Sequence, residues 1–79
     1  MYRIFFDCND GTMDHGFDLR FRKSIEDITK IGDELREGLH VIIYSPGELE
    51  IEAILKFDSD RGIWLGVPVP GTIKYLDGS

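Results

Sequence analysis

A chain of 79 residues holds one hydrophobic core and no second, because a polypeptide this short buries only about 60% of the surface its unfolded form exposes. Residues 1–79 therefore read as a single domain, and 42% hydrophobic against 30% charged residues excludes an intrinsically disordered chain. A net charge of −6 repels a nucleic-acid backbone over most of the surface, so no nucleic-acid partner is expected, and a lone cysteine excludes an internal disulfide and makes the cytoplasm the expected compartment.

Tyr2, Ile4 and Phe6 alternate with Arg3, Phe5 and Asp7, the period of a strand. Asp7 interrupts this run too early for a secretory leader, and no apolar run in the chain reaches the length of a membrane span. Gly11 and Gly16, with Asn9, Asp10 and Asp14 around them, have the chemistry of a hairpin loop. Phe17, Leu19 and Phe21 then alternate with Asp18, Arg20 and Arg22, predicting a second strand that returns against the first. The basic Arg20, Arg22 and Lys23 read as its solvated face.

Ser24 is the expected N-cap of a helix, with Glu26 and Asp27 in its first turn. Ile25, Ile28, Ile31 and Leu35 form its apolar stripe, Glu26 and Lys30 an i,i+4 pair, and Gly38 the left-handed residue after its end. Gly32 disturbs this pattern: either it permits close approach to a sheet, or the helix ends there and residues 33–37 become loop.

From residue 39 the pattern is strand, turn, strand, turn, strand. Residues 39–44 are apolar on both faces, Ser45, Pro46 and Gly47 reverse the chain, and residues 48–57 place Leu49, Ile51, Ala53, Leu55 and Phe57 inward. Residues 58–62 read as a second hairpin loop, 63–67 as the return strand, Pro68 and Pro70 as its end, and 72–76 as a last short strand. A one-residue slip in the first of these hairpins would exchange its faces. An odd loop sets Leu39, Val41 and Ile43 beside Leu49, Ile51 and Ala53, with His40 opposite Glu52 and Tyr44 opposite Glu48, whereas an even loop puts His40 and Tyr44 into the core; the odd register is the expected one.

The sequence Asp7-Cys8-Asn9-Asp10-Gly11-Thr12-Met13-Asp14-His15-Gly16 looks like a ligand set but fails the calcium-loop pattern, with Gly11 at the fifth ligand position and Thr12 where the central glycine belongs. Cys8 and His15 are two transition-metal ligands without a third at a fixed spacing, and no metal or cofactor is expected. The same pair is the one thiol–imidazole combination a hairpin brings together, and Glu48, Glu50 and Glu52 read as a solubilising strand face. Apolar groups that the pattern turns outward are more informative. If residues 58–62 form the loop, Phe57 opposes Ile63, and Trp64 falls opposite Lys56 and near Ile54, on a face that Ile42 joins. Such a cluster suits a protein partner; the competing reading is that the helix covers this face and Trp64 is core.

The run Gly38-Leu39-His40-Val41-Ile42-Ile43-Tyr44, the Trp64-bearing strand and the proline-broken turn before Leu76 together resemble Src-homology-like small β-barrels over about half the chain. The resemblance implies a curled barrel in which Trp64, Tyr44 and Tyr75 are the counterparts of the peptide-binding aromatics. The acidic loop and paired tyrosines of those domains have no match here, so no ligand is carried over.

The expected fold is α+β: an N-terminal β-hairpin, one helix, then an antiparallel β-meander that closes into a small barrel or packs as a sheet on the helix. The expected function is that of a small, acidic, cytosolic protein-interaction module without catalysis or a small-molecule substrate, binding a protein partner or a second copy through Trp64, Ile54, Ile42, Tyr44 and Tyr75. Two other classes are a metal-binding or thiol-dependent enzyme centred on Cys8 and His15, and an acidic inhibitor or immunity-type protein for a basic partner.

Overall fold

A computed structural model of the chain describes residues 1–8 and 16–76. In chain order its elements are β1 (Arg3–Phe5), β2 (Phe17–Asp18), α1 (Arg22–Thr29), a 3₁₀ turn (Gly32–Glu34), β3 (His40–Ser45), β4 (Leu49–Asp58), β5 (Ile63–Pro68) and β6 (Lys74–Tyr75). The fold is α+β, with one mixed sheet in the order β1-β3-β4-β5-β2 and β6 attached to β4. The sheet curls into a half-barrel. Its two ends approach one another, so that Phe6, just after β1, and Phe17, in β2, bring their ring centroids to 4.7 Å.

The long alternating run of β4 organises the rest. One of its edges pairs with β3, from Ser45↔Leu49 to His40↔Ile54. The other is divided between β5, from Ala53↔Pro68 to Asp58↔Ile63, and β6, at Leu49↔Tyr75 and Glu50↔Lys74. After β5 the chain passes Pro68 and Pro70 and returns along β4, Val69 N–H donating to Glu52 O (2.8 Å) and Leu76 N–H to Glu48 O (2.7 Å). The concave face buries Val41, Ile43, Ile51, Ala53 and Leu55, joined by Ile4 and Phe6 from one end and Phe17 and Leu19 from the other. Of the side chains that alternation on β4 turns inward, Ile51, Ala53 and Leu55 are buried and Leu49 is half-buried, whereas Phe57, expected inward, is exposed; on β3 Val41 and Ile43 are buried as the odd register predicts. The loop between them is odd, as expected. It is closed by a Pro46-Gly47 turn in which Gly47 has φ +74° and Glu48 N–H donates to Ser45 O at 3.0 Å, the pattern of a type II turn. This shifts the pairing by two residues and leaves the faces unchanged: Tyr44 opposes Glu50 and His40 opposes Ile54.

Four expectations are corrected. The N-terminal hairpin is replaced by two separated strands, β1 parallel to β3 (Ile4↔Ile43) and β2 antiparallel to β5 (Phe17↔Gly66); the connecting residues 9–15 lie outside the described region. Period-two alternation fixes a strand's face, not its neighbour, and each strand buries its apolar face by extending the common sheet. The parallel pair also means that the sheet is mixed, not antiparallel throughout. Helix α1 starts earlier than expected. Phe21 is its N-cap in an extended conformation without a side-chain bond, Arg22 and Lys23 belong to its first turn, and Ser24 lies inside it. It ends at Lys30, followed by Gly32 at φ +65°, so Gly32 terminates the helix. Finally, the β4–β5 loop is one residue shorter than expected. Asp58 pairs with Ile63 at the end of the ladder, its carboxylate accepts the Asp60 and Arg61 amides at 3.1 and 3.3 Å, and its carbonyl accepts Gly62 N–H at 2.7 Å. Phe57 therefore opposes Trp64, and every side chain of β5 sits on the face opposite to the expected one.

Candidate functional site

The shortened loop moves Trp64 to the helix side of the sheet. There Trp64 and Ile63 from β5, Leu19 and Arg20 after β2, and Ile25, Ile28 and Thr29 from α1 line an open groove of about 140 Å³. Leu19 and Ile28 are buried and form its floor, whereas Ile25 is 53% exposed. Trp64 is half-buried and is backed by Phe57, their centroids 5.1 Å apart in an edge-on arrangement, with Phe57 itself 36% exposed. Edge-on aromatic pairs hold each other's rotamers by quadrupole attraction. The indole thus presents a fixed wall, which loses little side-chain entropy when something binds against it.

The five residues expected to form one partner surface are dispersed. Ile42 and Ile54 share the convex face, as expected, Ile42 opposing Glu52 and Ile54 opposing Val67. Trp64 is on the other side. Tyr44 lies on the convex face but is engaged internally: its ring stands edge-on to Phe5 at 6.2 Å, Arg3 lies 5.0 Å over it, and its hydroxyl donates to Asp27 Oδ2 at 3.2 Å. Burial, and after it the Asp27 carboxylate, push the Tyr44 hydroxyl above its ordinary pKa. Tyr75 opposes Leu49 at the rim of the sheet and is largely exposed.

Cys8 sits where the β3–β4 turn meets the end of β1. Its amide donates to Ser45 Oγ at 3.0 Å, Ser45 Oγ donates to Phe6 O at 2.6 Å, and the thiol donates to Glu48 Oε2 at 2.6 Å. Donation to Glu48, with burial adding to it, pushes the thiol pKa up. Less thiolate at neutral pH is the reverse of what a nucleophilic cysteine needs. His15, its expected companion, lies outside the described residues. Among the described residues no group of three His, Cys, Asp or Glu side chains is placed to hold a metal ion, and no helix is long and apolar enough to cross a membrane.

Pattern reading missed the groove for a definable reason. The buried stripe of α1 is Ser24, Asp27, Ile28 and, just after it, Ile31, offset by one position from the all-isoleucine stripe that hydrophobicity selects. That offset releases Ile25 to the surface. A serine and an aspartate at i and i+3 beside the isoleucines were the available signal. No protein-family model matches the chain, and neither a curated protein nor a solved structure matches it.

Proposed function

We propose that this chain is a small acidic protein-interaction module without catalytic activity, which binds another protein through the groove between α1 and β5. The carrying observation is an aromatic side chain, Trp64, held by Phe57 in a concave apolar setting whose opposite wall, Ile25, is more than half exposed in the folded chain. Rigid aromatic anchors in concave apolar surroundings are the usual centres of binding energy at protein interfaces. A reducing cytosolic setting is consistent with a single cysteine that donates to a carboxylate instead of pairing.

The test compares two surface variants of the full chain in affinity capture, after circular dichroism has shown that both fold. Ile25→Asp, in the groove, is expected to lose the partner that the unaltered chain recovers, and Ile54→Asp, on the convex face, to keep it. The reverse result would move the docking surface to Ile42 and Ile54, and retention by both would remove the groove from the account.

A further inference from the structure

The groove differs in charge from the rest of the molecule. Four of the nine Lys and Arg fall between Arg20 and Lys30, against two of the fifteen acids, so the segment that runs from just after β2 through the end of α1 along the groove has a positive excess in a chain of net charge −6. Arg20 lines the groove directly. Its side chain is 57% exposed and reaches Asp18 only at 3.6 Å, while Asp18 is also held by Arg61 at 3.3 Å. Arg22 opens α1, one turn before Ile25 and therefore on the same side of the helix. It is exposed and makes no ion pair among the described residues. Lys23, by contrast, is taken up by Asp27 at 3.1 Å. Two guanidinium groups with unused donors thus accompany one apolar hollow. At about 140 Å³ the hollow suits a single bulky side chain and falls short of the roughly 300 Å³ at which small-molecule sites begin.

Resting on the reading of the groove as a docking surface, we propose that its occupant is an acidic–apolar segment of another protein, which seats one large apolar side chain against Trp64 and Ile25 and sets flanking carboxylates on Arg20 and Arg22. Guanidinium groups match carboxylates in planar two-point contacts. Outside residues 20–30 thirteen acids stand against five Lys and Arg, so the net charge of the rest of the chain disfavours such a segment and charge biases both the place and the orientation of landing toward the groove. A lysine-flanked segment would meet like charge at the groove.

Trp64 is the only tryptophan, so its emission reads the groove directly. The full chain is titrated at low salt with three tryptophan-free synthetic peptides: a leucine flanked by glutamates, the same leucine flanked by lysines, and the glutamate peptide with glycine in place of leucine. Only the first is expected to shift Trp64 emission to the blue, with an apparent Kd that weakens on the order of tenfold in Arg20→Glu/Arg22→Glu and with added salt. Arg22→Gln serves as the second variant if the double reversal does not fold. Equal or tighter binding of the lysine peptide overturns the acidic class and leaves the groove standing as a docking surface. No shift with any peptide, or unchanged affinity in the charge variants, also overturns the inference, while the comparison of Ile25→Asp with Ile54→Asp judges the docking surface independently. A shift that grows with protein concentration alone identifies a second copy as the occupant and overturns it as well.

Discussion

Two residues show how single positions set the shape. Gly66 faces the concave side of β5, and a Cβ built there would stand 3.1 Å from Ile43 Cγ2 and 3.6 Å from the Ala53 Cβ. Ile43 belongs to β3, two strands away, and reaches Gly66 because Ala53 between them is small. Small residues on the inner face of a curled sheet are what let it curl. Gly66→Ala is expected to destabilise the fold by about 1–2 kcal/mol through overpacking against a β-branched side chain, read as a lower urea midpoint; an unchanged midpoint would mean that Ile43 yields freely. Asp58 closes the β4–β5 loop. Its hydrogen bond with Arg61 (2.8 Å), helped by the Arg61 and Asp60 amides and opposed by burial, holds its carboxyl below the ordinary 3.8. The folded state favours the ionised form, so this contribution is present above pH 3.8 and is lost as pH falls through the lowered folded value. Asp58→Asn cannot lose it by titration, and the stability difference between the two chains, followed by circular dichroism, is expected to narrow only below that pH.

At the scale of elements, α1 acts as a substitute strand. The outward-pointing amide and carbonyl of Phe5 in β1 would be an open edge, a template for pairing with another chain. Asp27 Oδ2 accepts the amide at 3.0 Å and Ser24 Oγ donates to the carbonyl at 2.5 Å. Asp27 also accepts from Tyr44 and from Lys23 Nζ, so one carboxylate, 7% exposed, ties a helix to two strands. Removing it leaves two or three donors unpaired, each worth about 1–3 kcal/mol when buried. Asp27→Ala is expected to destabilise the fold by about 3 kcal/mol and to speed hydrogen exchange at the Phe5 amide, with Asp27→Asn, which keeps an acceptor, losing less. Equal protection of that amide in Asp27→Ala would show that α1 does not secure the edge. This pairing was illegible in sequence because Ser24 satisfies a local rule, helix capping, that the tertiary structure overrides: its hydroxyl serves β1 and an unaided Phe21 begins the helix.

For the whole molecule, what was legible is the α+β class and the two faces of β4, where Leu49, Ile51, Ala53 and Leu55 alternate with Glu50, Glu52 and Lys56; β3, apolar on both faces, takes its inward set from the odd loop that joins it to β4. What was not legible depends on distant partners or on a single residue. Phe17 and Leu19 alternate as clearly as Ile4 and Phe6, yet nothing local says that one pair will extend β5 and the other β3. Likewise the side on which Trp64 stands, and with it the candidate site, turns on whether Asp58 ends a strand or begins a loop. The parallel pairing of β1 with β3 has an outcome in time as well as in space. Arg3 pairs with Ile42 and Phe17 with Gly66, so during synthesis the first strands leave the ribosome well before the segments that receive them. A chain stopped after residue 38 is expected to give random-coil amide shifts by NMR. The N-terminal third is thus made first and settles last, with Ile4, Phe6, Phe17 and Leu19 bare to solvent and to chaperones until the central ribbon arrives.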